Sequence, residues 1–376
     1  MKNSKKLEAV ERERERESHN LEKSGYKIKK INNKEIIIVS ILILVILSII
    51  VNLIMGLWFN NKLNLMNRNW LNEIANYQEV DVSGVTIKNT TKKFDFPPLV
   101  PELKNYNAKT EYISYSANYF EENPVPTDEN GVRQVIVNQN KEYNPVAIAQ
   151  YGLNQYGDWI NTSQQKYYDS AKIQADYLLE TQDKKNGKFY YNFDFQVGGT
   201  NQTLKAPWSS AMAQGQAISL LARIYYISKD EKYLEAAKLA MKPLTVDVED
   251  GGLCADFFGY PYYEEYPTVP ASYTLNGFMF TLVGLHDLYS ITEDKQAKKL
   301  YDDGIKTLDY CLPFYDSIGI SLYHLGHLTD KNLPLHTSEK YHNIHIRLLR
   351  IINKWENNAT FMYYADKWEG YVKENS

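Results

Sequence analysis

The sequence predicts a mainly α fold: an α/α barrel (toroid) of about four helical hairpins, with a small β-rich N-terminal cap and one transmembrane helix. Three observations carry this. From residue 143 onward an apolar helical pattern recurs, opening near Asn144, Trp208, Ser272 and Tyr341. Each of the first three patterns is followed by a more one-sided amphipathic stretch, at 164–182, 230–245 and 294–312, and 359–372 would be the fourth. Near the N-terminus, residues 36–59 form an uncharged apolar run.

Taken in order, residues 1–35 read as a basic cytoplasmic tail, with Lys27, Lys29, Lys30 and Lys34 close to the apolar run. The run 36–59 is long enough for a helix crossing a hydrocarbon core of about 30 Å. A basic flank keeps the N-terminus in the cytoplasm. The expected placement is therefore single-pass, with the C-terminal domain extracytoplasmic, at the cell surface or in the Golgi lumen of a eukaryote. Residues 60–142 read as a stalk and small β-rich region, punctuated by Pro97, Pro98, Pro101, Pro124 and Pro126, with a short strand over 133–138.

Residues 143–376 carry the repeat. The first helix of each pair is apolar around most of its circumference (Ile218, Leu220, Leu221; Phe278, Met279, Phe280) and is expected inside. The second is one-sided (Tyr233, Ala237, Ala240, Met241) and is expected outside. Gly215 and Gly277 are expected to allow close helix packing. The site should lie where loops lead into the inner helices.

Composition narrows the function. The chain has 376 residues, 44% hydrophobic and 13% aromatic, including 31 Tyr, which excludes a disordered chain. Two cysteines, Cys254 and Cys311, exclude a disulfide scaffold. A net charge of -4 leaves no nucleic-acid footprint. The helix starts are rich in polar aromatic residues: Tyr143 and Tyr151; Trp208, Ser210 and Gln214; Tyr262 to Tyr266; Tyr323 and Tyr341. Rings that stack on sugar faces and hydroxyls that bond sugar edges suit a carbohydrate. The pairs His324/His327 and His342/His345 lack a third ligand and the Glu of an HExxH motif, so no metal site is assigned. No cofactor is called for, although a structural divalent cation such as calcium is left open.

The segments QYGLNQY, WSSAMAQGQAISLLARIY, YYEEYPTVPASYTLNGFMFTLVGLHDLY and YHNIHIRLL resemble the C-terminal domain of D-glucuronyl C5-epimerases, in order and at nearly the right spacing over 143–376. The resemblance implies conversion of D-glucuronate to L-iduronate within heparosan-type chains, as in heparan sulfate biosynthesis. It implies an anionic, uronate-containing polysaccharide as partner, and it is compatible with a homodimer. It points to Glu265, Tyr266, Tyr323 and Tyr341 as the catalytic set. Glu265 and Tyr341 are expected to face C5 from opposite sides, with Tyr266 and Tyr323 in support. Tyr151, Trp208, Gln214, Asn276, His327 and Arg133 are the expected substrate-binding residues. One departure stands out: Gly326 occupies the position of a family arginine that would meet the substrate carboxylate. His324, His327, Asn276, Lys205 or Arg133 would have to take its place. Two alternatives stay open: a lyase or glycoside hydrolase on an α/α toroid, and a non-catalytic polysaccharide-binding protein.

Overall fold

The structure, a computed structural model, describes residues 106–113, 119–330 and 334–375. The chain divides into two units, Met1–Asn89 and Thr90–Ser376, and every described residue belongs to the second. The described residues build four helical hairpins. The inner helices are α1 (Pro145–Thr162), α3 (Ala211–Ser228), α5 (Leu275–Thr292) and α7 (Glu339–Glu356). The outer helices are α2 (Gln165–Thr181), α4 (Glu231–Leu239), α6 (Lys295–Cys311) and α8 (Ala359–Asn375). Inner helices pack side by side in chain order, and each outer helix lies against its own inner partner.

The hairpins are one local design used four times. Each inner helix ends on a non-glycine residue in the left-handed conformation: Ser163, Lys229, Glu293 and Asn357. The next residue begins the outer helix, and in three of the four it supplies the cap. Asp230 accepts from the N–H of Lys232, Asp294 from Gln296 and Ala297, and Asn358 from Thr360. A two-residue connection of this kind forces the helices antiparallel. Pro243 stops α4 early, and the chain turns through a short 3-10 segment, Lys242–Thr245.

Between hairpins the chain makes two-stranded antiparallel ribbons: β3 (Phe195–Gln196) with β4 (Thr203–Leu204), β5 (Cys254–Phe257) with β6 (Tyr260–Tyr263), and β7 (Leu322–His324) with β8 (Leu335–His336). Another ribbon, β1 (Val135–Val137) with β2 (Asn140–Glu142), precedes α1. The ribbons of the repeat connect an outer helix to the next inner helix. They therefore gather at the N-terminal end of the inner layer.

That layer is close-packed. In α3 every residue from Ala211 to Ile224 is buried. A Cβ on Gly215 would lie 2.5 Å from Thr281 Cα, and one on Gly284 would lie 2.0 Å from the Gly215 carbonyl oxygen. Glycines on both helices thus let α3 and α5 touch backbone to backbone. At the opposite end, segment 106–113 plugs the layer. Arg223 of α3 and Asp287 of α5 form a fully buried ion pair of 2.6 Å. Asp287 also accepts from the hydroxyls of Tyr106 (2.9 Å) and Ser219 (2.8 Å). The guanidinium lies 5.3–5.9 Å from the rings of Tyr106, Tyr112 and Tyr156.

One part of the expected fold is corrected. Among the described residues no helix is long and apolar enough to cross a membrane. The most apolar helices, α3 and α5, carry Gln214, Gln216 and Arg223, and Asn276 and Asp287, buried within the protein. The run 36–59 lies outside the described residues. The transmembrane helix and the single-pass placement are not carried forward, nor is the homodimer with which the resemblance is compatible. Cys254 and Cys311 are free thiols.

Removing one partner of the Arg223–Asp287 pair strands the other in an apolar interior. Arg223→Met is expected to cost about 3–5 kcal/mol in chemical denaturation, and Arg223→Met with Asp287→Leu to recover most of that loss. Equal stability of Arg223→Met and wild type would contradict this account of the plug.

Candidate functional site

Three separate segments meet at the ribbon end of the inner layer. The first is the β5–β6 ribbon, which runs directly into Glu264 and Glu265. The Glu264 carbonyl accepts from the N–H of Ala211, the first residue of α3, at 2.9 Å, and its own N–H donates to the Leu253 carbonyl at 2.8 Å. This pins the strand exit to the start of α3 and turns Glu265 in toward α5. There Gly277 makes room: a Cβ on it would sit 2.3 Å from Glu265 Oε2 and 2.4 Å from Glu265 Cβ.

Glu265 is 7% exposed. Burial pushes its carboxyl up to about 7, although the Tyr266 hydroxyl, the Gly277 N–H and the Asn276 amide face it and pull it down. Its Oε2 makes no well-formed hydrogen bond among the described residues.

The other two segments bring hydroxyls. Tyr266, next in sequence, places its hydroxyl 3.2 Å from that of Tyr323 on β7. Tyr323 meets the ring of Tyr341, in the first turn of α7, edge-on at 5.4 Å. Burial raises Tyr266, Tyr323 and Tyr341 above the ordinary phenol value, and in each the charge of Glu265 adds to it. Tyr341 is the open member, 37% exposed. The site is thus a buried carboxyl and a run of three neutral phenols that ends at solvent.

An aromatic wall stands beside it. Trp208 stacks on Tyr191 at 3.9 Å, and Phe195 stacks on both Trp208 (5.7 Å) and Tyr266 (5.2 Å). The Trp208 indole N–H donates to the Phe193 carbonyl, which fixes the ring.

The structure therefore brings together Glu265, Tyr266, Tyr323, Tyr341, Trp208 and Asn276. It gives other roles to the remaining expected binders. Gln214 is fully buried: its oxygen accepts from the Phe189 N–H, and its amide donates to the Gly187 and Ala240 carbonyls. It ties a loop to the inner layer and has no amide atom left for a ligand. Arg133 donates to the carbonyls of Pro126 and Gln134, and its backbone N–H to Gln174 of outer helix α2. Tyr151 meets Phe120 edge-on at 5.0 Å.

His327 is pushed down to about 4 by burial and by His324, so it carries no charge at neutral pH. His324 is also lowered by burial; it bonds the Gly198 carbonyl at 2.8 Å and accepts from the Gly326 N–H at 3.1 Å. Neither histidine supplies the positive charge that the arginine at Gly326 would have given. A Cβ on Gly326 would lie 3.2 Å from the His324 ring, so His324 occupies part of that space. Lys205 follows β4 directly, on the ribbon that carries Phe195, and is exposed, paired with Asp194 at 2.6 Å. Among the described residues no three His, Cys, Asp or Glu side chains gather to hold a metal ion.

Sequence reasoning missed Tyr191 and Phe195 as wall residues. The signal was present: Tyr191, Phe193 and Phe195 alternate along KFYYNFDF, as residues on one face of an extended chain do, and all three rings touch Trp208. It also passed over Glu264 as a buried group. Glu264 accepts from the Tyr273 N–H at 3.0 Å and the Ser272 hydroxyl at 3.3 Å, and burial pushes it up to about 8.

A family model for the D-glucuronyl C5-epimerase C-terminus matches residues 182–370. The chain is 35% identical over 210 residues to a D-glucuronyl C5-epimerase of Caenorhabditis elegans, covering 53% of this chain and 34% of that protein. It is 31% identical over 204 residues to an uncharacterized protein of Methanocaldococcus jannaschii, covering 52% of this chain and 62% of the relative. The chain thus spans about a third and under two thirds of these relatives. Among solved structures, a cellobiose 2-epimerase of Bacillus thermoamylovorans is similar at a TM-score of 0.47 and 13% identity, over 68% of this chain and 70% of that one.

The Glu265 environment predicts a sign for stability against pH. Its carboxyl is raised from 4.5 to about 7 on folding. Between those pH values the folded protein keeps a proton that the unfolded chain has released, so stability falls as pH rises through the window. Glu265→Gln has no proton to lose there. Its stability relative to wild type should rise by on the order of 3 kcal/mol from pH 4 to pH 8 in denaturant titrations. A difference independent of pH would contradict the buried, raised carboxyl.

Proposed function

Because the chain belongs to the D-glucuronyl C5-epimerase C-terminal family, we propose that it inverts C5 of D-glucuronate residues to L-iduronate within a heparosan-like polysaccharide. Family membership supports carbohydrate epimerisation in general. The substrate is the one the sequence resemblance implies, and the chemistry is argued from the environments of the site residues.

One observation carries the reading: a buried, poorly bonded Glu265 stands at the head of three phenols delivered by three different segments. The C5 proton of a uronate is weakly acidic, and inversion requires removal on one face and return on the other. The groups divide by their environments. The tyrosines, all raised, are protonated at neutral pH and suit donation. Glu265, near 7, is the member of the set that can be ionised under the same conditions, so it suits abstraction. Ionised Glu265 takes the C5 proton, and the electron pair left on carbon spreads into the substrate carboxylate. The Tyr341 hydroxyl gives its proton to the opposite face of C5. Tyr341, the exposed member, then takes a proton from solvent and Glu265 releases one, which restores the starting state.

Trp208 and Tyr191 are buried and stack on each other, so they back the partly buried Phe195, the ring of this wall left for a pyranose to meet. Lys205 is the nearest expected carboxylate partner in sequence to that wall. Its ion pair with Asp194 is exposed, so it exchanges partners at little cost.

Incubation of the protein with heparosan in deuterated water tests this. Deuterium at C5 together with iduronate signals is the expected result. Glu265→Gln and Tyr341→Phe should each lower kcat by about 100-fold or more, as loss of a general acid or base does. An unsaturated uronate product would show a lyase instead, and full exchange activity in both variants would remove these residues from the mechanism.

A further inference from the structure

The pair His342/His345 plays no part in the proposed chemistry, yet both rings are fully buried. They converge on one residue, Ser321, just before β7. The Ser321 N–H donates to His342 Nδ1 at 3.0 Å. The Ser321 hydroxyl lies 2.9 Å from His342 Nδ1 and 2.9 Å from His345 Nδ1. The Ser321 carbonyl accepts from the Thr337 N–H (3.0 Å) and hydroxyl (3.1 Å), just before α7. Every polar group of Ser321 is thus engaged by the segment that begins α7.

The bonds also set the protonation state of His342. A backbone N–H can only donate, so Nδ1 is bare. A backbone carbonyl can only accept, so Nε2, 3.0 Å from the Trp368 carbonyl of α8, carries the hydrogen. His342 is therefore a neutral ring with one tautomer, a strut from β7 through α7 to α8. Burial agrees with this: it pushes His342 down to about 4, against the opposing charge of Asp316.

This strut stands between two site residues. Tyr323 is two residues past Ser321, and Tyr341 is the residue before His342. We propose that His342, through its bonds to Ser321, is a positioning residue that holds Tyr341 against Tyr323. The proposal rests on the epimerase reading only for its kinetic consequence; the geometry it asserts exists without substrate. His345 shares the Ser321 hydroxyl and completes the clamp.

The test compares His342→Leu, which removes the acceptor, with His342→Asn, whose side-chain oxygen falls near the place of Nδ1. The full chain is labelled with 13C-tyrosine, and the Tyr323 and Tyr341 ring signals are assigned by Tyr323→Phe and Tyr341→Phe. Both signals should shift in His342→Leu and return toward wild type in His342→Asn. Unchanged signals in His342→Leu, or equal shifts in both variants, would overturn the proposal whatever the substrate proves to be. On heparosan, kcat of His342→Leu should fall about 10-fold with KM within about twofold, and His342→Asn should recover most of it. Wild-type protein without exchange activity would count against the epimerase reading alone, because the ring signals still decide the clamp. If His342→Leu does not fold, Ser321→Ala replaces it: the backbone bond stays, the hydroxyl is lost, and a smaller shift of the same two signals is expected.

Discussion

The close approach of α3 and α5 is the constraint on which the rest depends. Gly215 lies against Thr281 and Gly284 with no room for a Cβ. This brings two inner helices into backbone contact and draws their N-termini, with the ribbons leading into them, into one small region. One turn nearer that end, Gly277 receives a side chain instead of a helix. Its missing Cβ is the space filled by Glu265. The packing that buries the carboxyl is thus the packing that raises its pKa, because burial is the largest cause of that shift.

The two ends of the inner layer treat buried charge in opposite ways. At the plugged end Asp287 receives Arg223 and the hydroxyls of Tyr106 and Ser219, so its charge is compensated. Such a site secures the fold and offers nothing to a substrate. At the ribbon end Glu265 has no paired cation among the described residues, and Oε2 makes no well-formed bond with them. A buried acceptor left so costs free energy. The cost is borne where a proton must be taken up and released, and the stability to bear it comes from the rest of the layer. The His342–Ser321 strut belongs to the same division: it adds no charge to the site, only direction.

Much of this was legible in the sequence, because the helical repeat is written in apolar spacing. The inner helices start at Pro145, Ala211, Leu275 and Glu339, close to the expected Asn144, Trp208, Ser272 and Tyr341. The last start comes two residues early because Ser338 caps α7, accepting from the Tyr341 N–H. Glu265, Tyr266, Tyr323 and Tyr341 are legible through motif resemblance and not through periodicity, since no spacing rule joins residues from the segment after β6, from β7 and from α7. Gln214 shows the limit of reading polar residues on apolar helices as binders: its amide is consumed by Phe189, Gly187 and Ala240, partners far from it in sequence. The histidines show another. His324 and His327 look like cations in a sequence, but burial keeps both neutral. Gly277 was expected to pack against a helix, and the side chain that fills its space arrives from a ribbon whose path the sequence does not reveal.

Glu265 is the carboxyl that must hold or release a proton near neutral pH for the proposed exchange to occur. Its titration can be followed directly by 13C NMR of protein labelled at glutamate side chains, with the signal identified by its loss in Glu265→Gln. A midpoint near 7 is predicted. A midpoint at the ordinary carboxylate value of about 4.5 would mean that water or a cation reaches Oε2, and would contradict the assignment of Glu265 as the base.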